Sequence, residues 1–156
     1  MESCRKMTEI YYEPLKKSHL EGIINIEQAC FVVPWSKEAF LQELKNDIAV
    51  YIVAMQDDEV IGYGGMWIIL DESHITNVAV AKSYQRQGIA KKIVEQLIER
   101  SEQEKAFSMT LEVRKSNNSA ISLYKKFSFK EVGIRKGYYE NNNEDALIMW
   151  RKSSKE

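Results

Sequence analysis

Little in this 156-residue chain offers covalent or metal-based stabilisation. Its two cysteines, Cys4 and Cys30, form no disulfide framework and no spaced metal site. Its two histidines, His19 and His74, lie far apart and add nothing toward a metal centre, so no metal is expected. Basic residues are not in excess. The 22 Lys and Arg against 23 Asp and Glu leave a net charge of −1, which argues against a general nucleic-acid binder. No apolar run approaches the roughly 18 residues of a membrane span, and the N-terminus carries no apolar signal segment. The expectation is a cytoplasmic protein with no membrane partner. Repeats, low-complexity tracts and linkers are also missing. The length suits one domain over residues 1–156, with 1–7 as a loose N-terminal extension.

The stretch from Asn77 to Lys92 is the most informative one present. An apolar run, Val78 to Val80, leads through a polar turn into Gln85-x-x-Gly88-x-Ala90, and then into Ile93-Val94-x-x-Leu97-Ile98 with helical spacing. A strand feeding a loop that starts a helix gathers unpaired backbone N–H groups at the positive end of the helix dipole. That arrangement binds phosphate groups. Gly88 leaves the backbone open to a pyrophosphate, and Ala90 is the next smallest choice. The stretch is neither a Walker loop nor a dinucleotide fingerprint, because Gly-Lys-Ser/Thr and Gly-x-Gly-x-x-Gly are both absent.

Around it the pattern predicts a strand at Ile10 to Tyr12 and a helix over Lys17 to Cys30. A second helix follows Pro34, with Ser36 as its cap. Ala49 to Met55 and Val60 to Leu70 read as a hairpin about the turn Gln56 to Glu59, and Gly62, Gly64 and Gly65 suggest a bulge or a close backbone approach. Ile75 to Val80 is a strand, and the helix from Gly88 reaches about Gln103. Phe107 to Val113 is a strand and Asn117 to Phe127 a helix. Phe129 to Ile134 and Ala146 to Trp150 are strands about the turn Asn141 to Asn143. Strand–helix–strand in the middle implies a parallel crossover between antiparallel flanks. The fold class expected is therefore a mixed α/β sheet with helices packed against it.

The second constellation runs from Thr110 to Tyr124. Glu112 alternates to the face opposite Leu111 and Val113, either exposed or lining a cleft. Asn117 and Tyr124 lie about two turns apart on one helix face. Taken singly they read as a capping asparagine and a half-buried tyrosine. Together with Asn77-Val78-Ala79-Val80, Gln85 to Ala90, Leu111-Glu112-Val113-Arg114-x-Ser116-Asn117-x-x-Ala120-x-x-Leu123-Tyr124, Arg135-x-x-Tyr138-Tyr139, Glu144 to Met149 and Pro34-Trp35-Ser36, they resemble the GNAT superfamily of acyl-CoA-dependent N-acetyltransferases. Within it the chain looks most like the bacterial ribosomal-protein-alanine N-acetyltransferases. The resemblance covers the chain from about Ile10 onward.

The resemblance implies a GNAT fold, largely antiparallel with a central parallel crossover and helices on both faces. It implies acetyl-CoA as co-substrate, held by Val78, Ala79 and Val80 along the pantetheine. Gln85, Arg86, Gln87, Gly88, Ile89, Ala90 and Lys91 would sit at the pyrophosphate, with Asn117 as a further contact. It implies direct transfer to an amine, with Glu112 as general base and Tyr124 as general acid. Trp35, Tyr138 and Tyr139 are the candidates for contact with the acceptor, a ribosomal protein's N-terminus. Other protein N-termini, lysines and small amines remain open as acceptors, as does a non-catalytic CoA-binding module. One departure stands out: Ser128 occupies a position where the family usually has glycine, at the end of a helix.

Overall fold

The computed structural model describes residues 9–155, so the expected loose segment 1–7 and Cys4 lie outside the described residues. A sheet of seven strands is built from β1 (Tyr11–Pro14), β2 (Ala49–Gln56), β3 (Glu59–Ile69), β4 (Glu72–Val80), β5 (Ser108–Arg114), β6 (Lys130–Tyr139) and β7 (Glu144–Lys152). Their order is β1-β2-β3-β4-β5-β7-β6. Every neighbouring pair is antiparallel except β4 with β5. The crossover between those two is α3 (Ile89–Gln103), as the strand–helix–strand pattern requires.

Helices cover both faces. On one, α1 (Leu20–Cys30) and α2 (Lys37–Leu44) bury Leu20, Ile23, Ile26 and Phe40 against Tyr51, Val53 and Tyr63. On the other, α3 and α4 (Asn118–Lys126) bury Ile89, Ile93, Val94, Leu97, Ile121 and Tyr124. The apolar positions of α3 recur at intervals of three and four, which places them on one stripe. Each such side chain contributes about 1.5–3 kcal/mol on burial. Ser36 caps α2 as expected, its Oγ accepting from the Ala39 N–H at 3.1 Å. Such a cap is worth about 1 kcal/mol.

The strand glycines mark close approaches. A Cβ on Gly64 would collide with Ile93 Cγ2, and one on Gly65 with the Tyr51 ring. The bare backbone of β3 therefore lets α3 and Tyr51 seat directly on the sheet.

Two elements run longer than the pattern suggests. β4 begins at Glu72, three residues before Ile75, and turns directly out of β3 through Leu70, whose φ is +56°. β6 continues past Ile134 to Tyr139, with its pairing to β7 interrupted between Arg135 and Tyr139.

Candidate active site

Strands β4 and β5 pair only at Glu72–Ser108, Ser73–Met109 and His74–Thr110 among the described residues. Beyond His74 they part. From there β4 is held by β3 alone, through pairs running from Met66–Ile75 to Gly62–Val80. An extra residue, Thr76, sits between Ile75 and Asn77 and forms a bulge. The bulge reverses the phase of the strand. Before it, Ser73 faces α3 and bonds Ser101 Oγ at 2.6 Å; after it, Val80 faces α3 and Ala79 faces α1.

The Ala81 N–H donates to the Ile61 carbonyl at 2.8 Å. Alternation along the antiparallel ladder then turns the backbone groups of Val78 and Val80 toward the unpaired edge. The Val80 carbonyl accepts from Gln85 Nε2 at 3.0 Å and from Cys30 Sγ at 3.5 Å. Gln85 thus folds back onto the strand instead of reaching outward.

Gln85, Arg86 and Gln87 form an exposed turn between a short 3-10 segment and α3. Arg86 has φ +66°. Gly88 is the N-cap of α3 at φ +81°, and no atom lies within 4 Å of where its Cβ would be. The first intrahelical bond runs from the Lys92 N–H to the Gly88 carbonyl. By helical geometry this leaves the N–H groups of Gly88, Ile89, Ala90 and Lys91 without intrahelical acceptors. The Ile89 side chain itself is buried in the core, so only its backbone faces outward.

On β5, Leu111 and Val113 join the α3–α4 core, and Glu112 points to the other face. Its side chain is only 11% exposed. Glu112 Oε1 accepts from His74 Nε2 at 2.7 Å, and Oε2 lies 3.4 Å from Arg135 Nε. The His74 hydrogen bond holds the Glu112 carboxyl below its ordinary range despite burial, and the charges of His74 and Arg135 add to this.

Tyr138 and Tyr139 stack edge to face beside it, 5.0 Å apart. Arg114 lies 4.0 Å over the Tyr139 ring and donates to Glu144 at 3.1 Å. Burial, then Tyr138, push the Tyr139 phenol up to about 12, Arg114 opposing. Glu112 also raises both phenols. Trp35 stands apart from this cluster, its ring 5.4 Å from Phe40. The Trp35 backbone N–H donates to Glu27 Oε1 at 2.7 Å.

Asn117 is the N-cap of α4 and accepts from the Ala120 N–H at 3.2 Å. Tyr124 lies two turns on. It is buried rather than half-buried, in the cluster with α3, and burial, then Tyr139, raise its phenol. Glu112 and Tyr124 therefore occupy opposite faces of β5.

The structure thus brings Glu112, Tyr138 and Tyr139 together, and joins Val78 to Val80 to the Gln85–Lys91 loop. It also adds His74 and Glu27, which the sequence pattern passed over, and Arg135, which the pattern named only as part of a motif and gave no role. His74 sits in a polar run, Asp71-Glu72-Ser73-His74, between the strands expected at Val60 to Leu70 and Ile75 to Val80. Glu27 carried a signal: it follows Ile23 by one helical turn, a carboxylate on an apolar stripe. It is 1% exposed and reaches Asn77 Nδ2 at 3.4 Å.

The fork between β4 and β5 thus leaves an unpaired strand edge with a helix N-terminus at one end and a paired carboxylate at the other. The sequence model of the acetyltransferase (GNAT) family matches residues 20–129, and the chain belongs to that family as an N-acetyltransferase. Among its relatives is a Bacillus subtilis protein provisionally named a ribosomal protein bS18-alanine N-acetyltransferase. It is 39% identical over 137 residues, 87% of this chain and 91% of the relative. The Escherichia coli K12 protein named ribosomal protein bS18-alanine N-acetyltransferase is 34% identical, over 86% of this chain and 92% of its own length. The crystal structure of the Escherichia coli ribosomal-protein-S18-alanine N-acetyltransferase superposes with a TM-score of 0.86 at 32% identity, covering 94% of this chain and 95% of the other.

Proposed function

We propose that the protein transfers the acetyl group of acetyl-CoA directly to the N-terminal α-amine of a ribosomal protein that begins with alanine. The observation that carries this reading is the fork. The unpaired edge of β4 runs from the amides at the start of α3 to the His74–Glu112 pair, six residues or roughly 20 Å at strand rise. An extended pantetheine arm, anchored by its pyrophosphate at Gly88, would pair with Val78 and Val80 as an added strand. Its thioester would then lie toward Glu112.

Glu112 supplies the base function, which an α-amine of pKa about 8 needs near neutral pH. Tyr124 supplies a proton to the departing thiolate. Backbone N–H groups along β4 polarise the thioester carbonyl. Tyr138 and Tyr139, with Trp35 farther along the same face, frame the entering peptide. The names of the relatives favour an alanine-initiated ribosomal substrate over a small amine.

The test is thiol release from acetyl-CoA with peptides starting Ala, Met, Ser or Gly, beside free lysine and spermidine. Preference for the alanine peptide is expected. Turnover of spermidine alone would overturn the acceptor assignment.

A further inference from the structure

Resting on the acetyl-transfer reading above, we propose that Glu112 exerts its base function through His74, whose Nδ1 takes the proton from the acceptor amine. His74 is the last residue of β4 paired with β5, and Glu112 lies two residues past its partner Thr110. The bond between them therefore spans the mouth of the fork at the point where the strands part. Both oxygens of Glu112 are engaged, one by His74 Nε2 at 2.7 Å and the other by Arg135 at 3.4 Å.

A carboxylate held on both oxygens is a weak proton acceptor, and its lowered affinity for protons widens the mismatch with an amine. Ordinary values are about 4.3 for Glu, 6.5 for His and 8 for an α-amine. Imidazole is the better-matched base. With Glu112 ionised, the shared proton belongs to Nε2, which leaves the Nδ1 lone pair free. Nδ1 has no hydrogen-bond partner among the described residues, and the side chain is 35% exposed. The ring meets Glu112 on β5 and the Trp67 ring on β3, 6.4 Å away and edge-on, while Arg135 on β6 pairs with the other oxygen of Glu112. A carboxylate behind an imidazole fixes its tautomer and stabilises the imidazolium, so Glu112 is the positioning residue of the pair.

The step balances. The ammonium gives one proton to Nδ1, and the neutral amine forms the N–C bond to the thioester carbon. The C–S bond breaks, and the sulfur takes a proton from Tyr124. The second amine proton, lost as the amide forms, restores the phenol, and His74 returns its proton to solvent.

A clamp that only joined β4 to β5 would tolerate glutamine, which can still donate N–H to Glu112 but cannot take up a proton. The experiment measures kcat and KM across roughly pH 5 to 9, using the amine the wild type turns over best. It compares wild type, His74→Gln and His74→Ala, the last with and without added imidazole. The expected result is a loss of kcat of about 30-fold or more in His74→Gln with KM for acetyl-CoA unchanged. The acidic limb of the wild-type profile should also disappear, and imidazole should restore His74→Ala. Wild-type turnover and an unchanged acidic limb in His74→Gln would overturn the inference while leaving acetyl transfer standing. Failure of imidazole to restore any activity would overturn it too. A wild type that releases no thiol with any amine would instead remove the reading beneath it, and this inference with it.

Discussion

Ser128 adopts φ +70° directly after α4, the left-handed conformation in which serine costs more than glycine. The local bonding shows why the chain holds it there. The Ser128 N–H donates to the Lys125 carbonyl and the Phe129 N–H to the Tyr124 carbonyl, each closing the helix end. The Phe129 ring packs edge-on against Tyr124 at 5.5 Å, so this turn also seats the proposed acid. Ser128→Gly should therefore be neutral or raise stability by up to about 1 kcal/mol, read as a melting-temperature shift. A clear drop would show that the serine side chain carries an interaction of its own. The roles of Glu112 and Tyr124 are tested separately. Glu112→Gln and Tyr124→Phe should each lower kcat by about 30-fold or more while acetyl-CoA still binds, as titration calorimetry would report. Near-wild-type rates in both would remove the assignments. Glu112 was legible through the resemblance of Leu111-Glu112-Val113-Arg114 to the family's motif, since its alternation alone left an exposed and a cleft-lining position both open. Its partner His74 was not, since pairing across 38 positions depends on how two strands part.

At the scale of elements, periodicity carried most of the information where one face is buried. The stripe of α3 and the alternation of β5 were legible because each sets its apolar residues against a single core. The first residues of β4 were not, because Glu72 and His74 are polar and earn their place in the strand by pairing with β3 and β5. Ile75 to Val80 was legible as a strand, but the bulge at Thr76, which reverses which side chains face α1, was not. Two glycines separate what seats α3 from what its N-terminus does. Gly64→Ala would drive a methyl into Ile93, which is fully buried and cannot swing away, so stability should fall by roughly 1–3 kcal/mol. Gly88→Ala meets no neighbour, so its backbone cost at φ +81° is about 1–2 kcal/mol. Its methyl, however, would enter the space assigned to the pyrophosphate. We expect KM for acetyl-CoA to rise by about tenfold in Gly88→Ala, equivalent to about 1.4 kcal/mol, and little in Gly64→Ala. Thermal melts with steady-state kinetics would check both, and equal KM effects would undo the distinction.

Across the whole molecule, the carboxylates divide into two groups whose effects on stability run in opposite directions with pH. Hydrogen bonds from His19 to Glu13, from His74 to Glu112 and from Ser116 to Glu144 lower those carboxyls. Glu102 is pushed up by burial, but Ser153, Lys155 and Arg151 at the end of β7 outweigh that and lower it. A lowered carboxyl contributes stability that is present above its unfolded value, about 4.3, and lost as pH falls through the folded value. Glu27 is the reverse. Burial raises it, opposed by the Trp35 N–H and Asn77, and it ties α1 to the approach of α2 and to β4. Its contribution is complete below the unfolded value and is lost as pH rises through the raised folded one. Above that raised value the fold carries an ionised carboxylate in its interior. Glu27→Gln removes that charge while an amide oxygen remains to accept from Trp35. The melting temperature of Glu27→Gln relative to wild type should rise between roughly pH 5 and pH 8, whatever its offset at the acidic end. A difference that stays flat, or that falls with pH, would show that Glu27 ionises without cost and that the layer between α1 and β4 admits water.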